Sequence, residues 1–289
     1  MLYIKRAVEN TVLKIAATFP VMLVTGPRQA GKTTMLEALA EPDRKVVTLD
    51  DPSIRYLAKT DPALFMQRYT PPVMIDEIQY GTELLPYIKM AADRSKRNGD
   101  FWLTGSQSFV MMKGVSETLA GRVGSINLLG LSTSEIHGIP SRVFTTDPEK
   151  LTKRIKEVGK IGLHELYERI FKGSMPKLYA DESIDFETYY RSYIDTYLKR
   201  DIKDLTQVAD EMAFYNFLTV VAARTAKPVI YEEIAGESGI SAPTAKKWLS
   251  ILMSSHIIAI VQSYYNNVLK RVTKLPVLHF LDNGLCHIS

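Results

Sequence analysis

The residues best equipped for chemistry stand near the amino end. They are Gly26-Pro27-Arg28-Gln29-Ala30-Gly31-Lys32-Thr33-Thr34, entered from the apolar run Val21-Met22-Leu23-Val24 and followed by Met35-Leu36-Glu37-Ala38-Leu39. The spacing is G-x-x-x-x-G-K-[ST] between a strand pattern and a helix pattern, the context in which this motif cradles phosphate. A loop of this length turns successive backbone N–H groups inward, onto the amino end of the next helix, where an anion is favoured. Gly26 and Gly31 supply backbone angles and close approach that a Cβ would forbid. Lys32 can reach the β- and γ-phosphates, the Thr33 hydroxyl can ligate Mg2+, and the loop through Thr34 surrounds the nucleotide. ATP with Mg2+ is the expected ligand; an ordinary glycine turn is the alternative.

A second set of groups lies downstream. The apolar strand Val73-Met74-Ile75 ends in Asp76-Glu77. Asp76 would hold the Mg2+ shell, and Glu77, differently directed, could polarise the attacking water. Alone, such a pair reads as a solvated acidic turn; downstream of a phosphate loop it gains a function. The next strand, Phe101-Trp102-Leu103-Thr104, ends in Gly105-Ser106-Gln107. Ser106 and Gln107 are candidates to sense the γ-phosphate or orient water, against turn chemistry and helix capping. Arg122 precedes a further strand, Ile126-Asn127-Leu128-Leu129. It could act as a finger on a nucleotide held by a neighbouring copy in a homo-oligomer, or form a surface ion pair.

Positioning these groups takes a sheet. Leu2, Ile4, Val8, Val12, Ile15 and Phe19 recur at helical spacing, so a first amphipathic helix is expected before Pro20. Lys45 to Leu49 reads as a strand, and the Asp-Pro pairs at 51–52 and 61–62 each open a short helix. Leu84 to Arg97 reads as a helix with a basic end that complements its dipole. Five strands alternating with helices predict an α/β fold, a parallel doubly wound sheet with its ligand at the strands' carboxyl ends. This domain is expected over residues 1–137. A polar stretch holding Pro140, Pro148 and the charged run 149–154 then begins a linker and helical, lid-like region, 138–210.

Phe186 to Leu205 is a tyrosine-rich helical stretch whose Tyr189, Tyr190, Tyr193 and Tyr197 are expected to pack core. Residues 211–289 change pattern again. A helix from Met212, a short helix at Tyr231, a turn through Gly236 and Gly239, and a helix capped by Ser241 precede two strand-like runs, 257–261 and 276–280. That order predicts a winged helix-turn-helix. No acidic residue occurs between Ser238 and Leu281. Lys246 and Lys247 fall on the expected recognition helix, and Lys270, Arg271 and Lys274 on the expected wing, where double-stranded DNA phosphates would be met. A winged helix serving as a lid or protein-docking surface is the alternative. His279, Asp282, Cys286 and His287 lack a recognised metal spacing, and no metal is assigned to them.

The 289 residues are enough for two domains, and 46% hydrophobic with 24% charged residues describes a globular chain. No apolar stretch approaches the ~20 residues needed to cross a bilayer, and the charged first residues do not form a signal peptide. A single cysteine, Cys286, excludes an intrachain disulfide and a Cys-rich zinc site. Cytoplasmic residence with no membrane partner is the default. The net charge of +4 is too modest to decide about nucleic acid.

Taken together, GPRQAGKTT at 26–34, LDDP at 49–52, VMIDEIQ at 73–79, FWLTGSQSF at 101–109, ETLAGRVGSINLLGLS at 117–132, TYLKRDI at 196–202 and GISAPTAKKWLSIL at 239–252 resemble one family across essentially the whole chain. It is the family of bacterial and archaeal AAA+-like ATPases in which a phosphate-loop domain precedes a C-terminal domain of unknown function. The resemblance implies that Gly26, Gly31, Lys32 and Thr33 are the nucleotide loop, and that Asp76 with Glu77 is the Mg2+ and water motif. It also implies an acidic-pair strand not adjacent to the phosphate-loop strand. Longer members continue past the stretch matching LHFLDNGL into a region resembling a nuclease-type fold. This chain stops at Ser289, so a truncated product or a fragment is expected, and no nuclease activity is assigned.

The leading expectation is an ATPase of the switch or motor type, in which a helical and winged-helix half moves with nucleotide state. The alternative is a DNA-binding regulator that holds ATP as a ligand with little or no hydrolysis. A small-molecule kinase fits less well, because the Asp76-Glu77 pair serves hydrolysis and no arginine-rich lid is evident.

Overall fold

The computed structural model describes residues 3–106, 114, 117–158, 161–198, 211–264 and 274–289. It divides into two units. One comprises Val8–Leu129 together with Ser254–His256, the other Met1–Ala7, Gly130–Met253 and Ile257–Ser289.

The first unit is built on a five-stranded parallel sheet of β1 (Val21–Thr25), β2 (Lys45–Thr48), β3 (Val73–Asp76), β4 (Phe101–Gly105) and β5 (Val123–Asn127). The strand order is β2-β3-β4-β1-β5. The acidic-pair strand β3 is therefore separated from the phosphate-loop strand β1 by β4. Every residue of β1 and β4 is buried, as expected of central strands covered on both faces. Side chains alternate between faces with period two, so one short sequence feeds two cores. Val21, Leu23, Val73, Ile75, Phe101 and Leu103 pack on one face with Ala58, Phe65 and Ile88 from α3 (Pro52–Thr60), α4 (Pro62–Arg68) and α5 (Leu85–Ser95). Met22, Val24, Met74 and Trp102 pack on the other with Val12, Met35 and Leu36 from α1 (Glu9–Thr18) and α2 (Lys32–Leu39). Each such fully buried aliphatic side chain contributes roughly 1.5 to 3 kcal/mol.

The Asp-Pro signals act as expected. Asp51 caps α3 by accepting from Ser53 N at 2.7 Å, and Asp61 caps α4 by accepting from Leu64 N at 2.9 Å. Two boundaries differ from expectation. The first helix begins at Glu9 rather than Leu2, because Tyr3–Ala7 is drawn into the other unit, where Arg6 Nε donates to Glu135 at 3.1 Å. The fifth strand begins at Val123, three residues earlier than the apolar run suggested, and ends at Asn127. Gly124 weakens the strand signal. Yet a Cβ there would stand 2.5 Å from both Ile15 and Phe19 of the first helix and its cap, so close helix packing requires the glycine.

The second unit is helical. It contains α6 (Thr133–Ile136), α7 (Pro148–Val158), α8 (Leu163–Lys172), α9 (Pro176–Ala180), α10 (Phe186–Tyr193), α11 (Glu211–Ala223), α12 (Tyr231–Ser238), most of α13 (Ala242–Ser254) and α14 (Asn283–Ile288). An antiparallel pair, β6 (Ile258–Val261) and β7 (Val277–Phe280), completes it. Helix, helix, turn, helix and hairpin thus occur in the predicted order. Trp248 of α13 sits edge-on to Phe214 and Phe217 of α11, at 5.4 and 5.2 Å between centroids. Tyr189, Tyr190 and Tyr193 are buried in the same core, the packing role expected of them; the Tyr197 side chain lies outside the described set. Asp282 caps α14 through Leu285 N at 2.8 Å and also accepts from Ser174 N, also at 2.8 Å. Among the described residues no group of histidine, cysteine and carboxylate side chains could hold a metal, and no helix is long and apolar enough to cross a membrane.

Candidate nucleotide site

The loop leaves β1 at Thr25 and closes on α2, with Gly31 in the left-handed region at φ +83° as the helix N-cap. Gly26 has φ +151°, and a Cβ built there would stand 2.0 Å from the carbonyl oxygen of Leu128. Only glycine fits against that backbone. Gln29 also has a positive φ, +61°, which lets the loop turn back on itself. Lys32 is buried, 5% exposed, and its Nζ donates to the carbonyl oxygens of Gly26 at 3.0 Å and Pro27 at 2.8 Å. The ammonium thus lies across the loop, within the ring of backbone that phosphates would occupy. Arg28 leans away, its guanidinium donating to the Tyr80 hydroxyl at 3.1 Å.

The acidic pair arrives at the same place from β3. The Thr33 hydroxyl donates to Asp76 Oδ1 at 2.7 Å. Thr104 Oγ1 donates to the same oxygen, and Thr48 Oγ1 approaches Asp76 Oδ2 at 3.4 Å. A hydroxyl and a carboxylate held in contact form the hard-oxygen donor pair that suits Mg2+ alongside phosphate and water oxygens. The residues present fit that ion. Glu77 follows with φ +57°, a conformation that swings its side chain off the strand path and marks a constrained position. Its N–H donates to Thr104 Oγ1 at 3.1 Å. Its carboxylate accepts from Ser106 Oγ at 3.1 Å and from the Gln79 amide, which also donates to Ser106 at 3.0 Å.

Of the residues predicted from sequence, the fold brings Gly26 through Thr34, Asp76, Glu77 and Ser106 to the carboxyl ends of β1, β3 and β4. Arg122 is elsewhere. Its carbonyl accepts from Val21 N at 3.1 Å, which puts it at the opposite end of the sheet, about 13 Å of strand away. Its Nη2 donates to Asp93 at 3.1 Å and its Nη1 to the Ala120 carbonyl at 2.8 Å, the surface ion pair that was the alternative reading. Gln107 lies outside the described residues, as do Lys270 and Arg271. Lys246, Lys247 and Lys274 are exposed in the second unit, with Lys246 Nζ 5.9 Å from the Tyr231 ring centre. Sequence reasoning gave no role to Thr104, Gln79 or Thr48. The signal was present for the first two, since both stand within the motif stretches that carry the resemblance. Pairing across strands was needed to see what they touch.

Comparison with known proteins agrees with this geometry. Residues 18–137 match the model of the AAA domain, and residues 163–288 match that of a domain of unknown function (DUF8612). The chain belongs to the AAA-type phosphate-loop ATPases. Uncharacterized proteins of Mycobacterium bovis and Mycobacterium tuberculosis are each 26% identical over 268 residues, 93% of this chain and 55% of the relative. The chain therefore spans about half the length of these curated relatives. A Walker-type ATPase of Pyrococcus abyssi superposes with a TM-score of 0.60 at 16% identity, covering 99% of this chain and 95% of that one, a likeness of fold.

Proposed function

We propose that this AAA-type protein binds Mg2+·ATP at the loop and hydrolyses it to ADP and phosphate. The observation that carries the proposal is the 2.7 Å contact between Thr33 and Asp76, which joins the loop and the acidic pair into one site. Thr33 and Asp76 would hold the ion, which when bound bridges phosphate oxygens and neutralises their charge. The Lys32 ammonium, released from the loop carbonyls, would stabilise charge on the β- and γ-phosphates. Glu77 would orient a water for in-line attack. The water oxygen bonds to the γ-phosphorus, the bond to the β–γ bridging oxygen breaks, and the water proton moves toward the Glu77 carboxylate. Ser106 and Gln79 would hold that carboxylate in place. Gln79 Oε1, buried and without a hydrogen-bond partner among the described residues, offers an acceptor beside it. The expected consequence is coupling of nucleotide state to the C-terminal half.

The helix-helix-turn-helix-hairpin order of residues 211–289 supports a winged helix, and exposed Lys246 and Lys247 on its third helix support contact with double-stranded DNA as a second reading. One experiment separates the two: steady-state ATP hydrolysis with and without duplex DNA, for wild type and Glu77→Gln, beside ATP affinity by calorimetry. Turnover lost in Glu77→Gln with binding retained supports the hydrolase. Tight binding without turnover in wild type, with DNA affinity that falls with salt, supports an ATP-liganded regulator. Equal turnover in wild type and Glu77→Gln refutes the role given to Glu77.

A further inference from the structure

The unit that holds the phosphate loop is not continuous in sequence. Ser254–His256, the turn between α13 and β6, belongs to it together with Val8–Leu129. Two polar groups in this turn are buried with no hydrogen-bond partner among the described residues: Ser255 Oγ, on a residue 5% exposed, and His256 Nε2. Buried polar atoms are ordinarily satisfied, and an exception calls for a ligand or a cost. His256 also has φ +55°, so of the five described non-glycine residues with positive φ, Gln29, Glu77 and His256 belong to this unit's loop, acidic motif and inserted turn. Lys32 lies close enough that its charge disfavours protonation of the imidazole, after burial itself, and the ring is held below its ordinary pKa. A neutral imidazole keeps one N–H donor, and a phosphate oxygen beside Lys32 is the acceptor class such a donor would meet.

We propose that the Ser255-His256 turn is part of the nucleotide site and reads its occupancy, His256 donating from Nε2 to a phosphate oxygen of the nucleotide gripped by the loop. This rests on the ATP-binding reading above. It makes His256 a nucleotide-binding residue supplied from the C-terminal part of the sequence, so the phosphate is sensed at a position continuous in chain with α13 and β6. The Ser255 hydroxyl is the second donor available to the same anion.

The test uses the full chain with Mg2+·ATP and Mg2+·ADP, measured by calorimetry and by ligand-induced thermal shift. His256→Gly keeps the left-handed backbone and removes the ring; His256→Gln returns an N–H donor near the Nε2 position. The expected result is a roughly tenfold loss of nucleotide affinity in His256→Gly, with the ligand-induced rise in melting temperature cut by more than half. His256→Gln should recover to within about threefold of wild type. Wild-type affinity in His256→Gly overturns the proposal, whether or not its ligand-free melting temperature falls. Equal losses in the glycine and glutamine variants overturn it also, since the donor would then be irrelevant. Absence of ATP binding in wild type would instead bring down the ATP reading itself.

Discussion

Replacing Gly26 by alanine perturbs the loop at the position where the geometry leaves least room. The added Cβ would lie 2.0 Å from the Leu128 carbonyl oxygen, about 1.4 Å short of the 3.4 Å at which ordinary contact begins. Neither side yields cheaply. Leu128 is held by its own N–H, which donates to Thr25 O at 2.7 Å and continues the β1–β5 register beyond Thr25 and Asn127. Gly26 at φ +151° is itself in a region that residues with a Cβ rarely adopt. Breaking one backbone hydrogen bond costs about 1 kcal/mol and a strained φ about 1 to 3 kcal/mol, so ~3 kcal/mol of stability should be lost, a fall in melting temperature of roughly 10 °C. A structure that relaxes instead by shifting the loop about 1 Å misplaces every phosphate-facing N–H. Displacement on that scale typically costs on the order of a hundredfold. Calorimetry of Mg2+·ATP binding with thermal melting of the ligand-free chain measures both effects. If Gly26→Ala binds ATP within about twofold of wild type and melts within about 2 °C of it, the packing of the loop against Leu128 is wrong.

The remaining predictions follow the same logic. Lys32→Ala should abolish measurable ATP affinity, and unchanged calorimetric titration would remove the loop from the site. Glu135 is buried, which raises its pKa, but N–H groups of Ser132 and Ala7 and the Arg6 guanidinium outweigh burial and hold its carboxyl below the usual range. Since the folded pKa is depressed, its stabilisation should be complete above the unfolded value of ~4.3 and be lost as pH falls through the folded value. Urea unfolding of wild type and Glu135→Gln should therefore differ by about 3 kcal/mol at pH 7 and converge in acid; a constant gap between pH 7 and pH 3 would contradict the assignment. Lys246→Ala with Lys247→Ala should weaken duplex DNA binding and flatten its salt dependence by about two counterions. Superimposable binding curves would exclude that helix as a DNA contact.

The chain's chemistry was written locally. Gly26, Gly31, Lys32 and Thr33 are spaced by the geometry of one loop, and the period-two alternation of 21–24, 73–75 and 101–104 required buried parallel strands whatever their order. Asp51 and Asp61 start helices because a side-chain oxygen two or three residues from an N–H satisfies it without help from the rest of the fold. Tertiary structure decided what sequence separation concealed. Insertion of β4 between β3 and β1 lets Thr104 bridge Asp76 and Glu77, and carries Ser106 and Gln79 to the same carboxylate. Strand direction removed Arg122 to the far end of the sheet, which no local pattern encodes. His256, in a stretch with no motif, joins the phosphate-loop unit only through the folded path of the backbone. Local signals fix what each segment can do because their partners lie within a few residues; pairings across many tens of residues depend on topology.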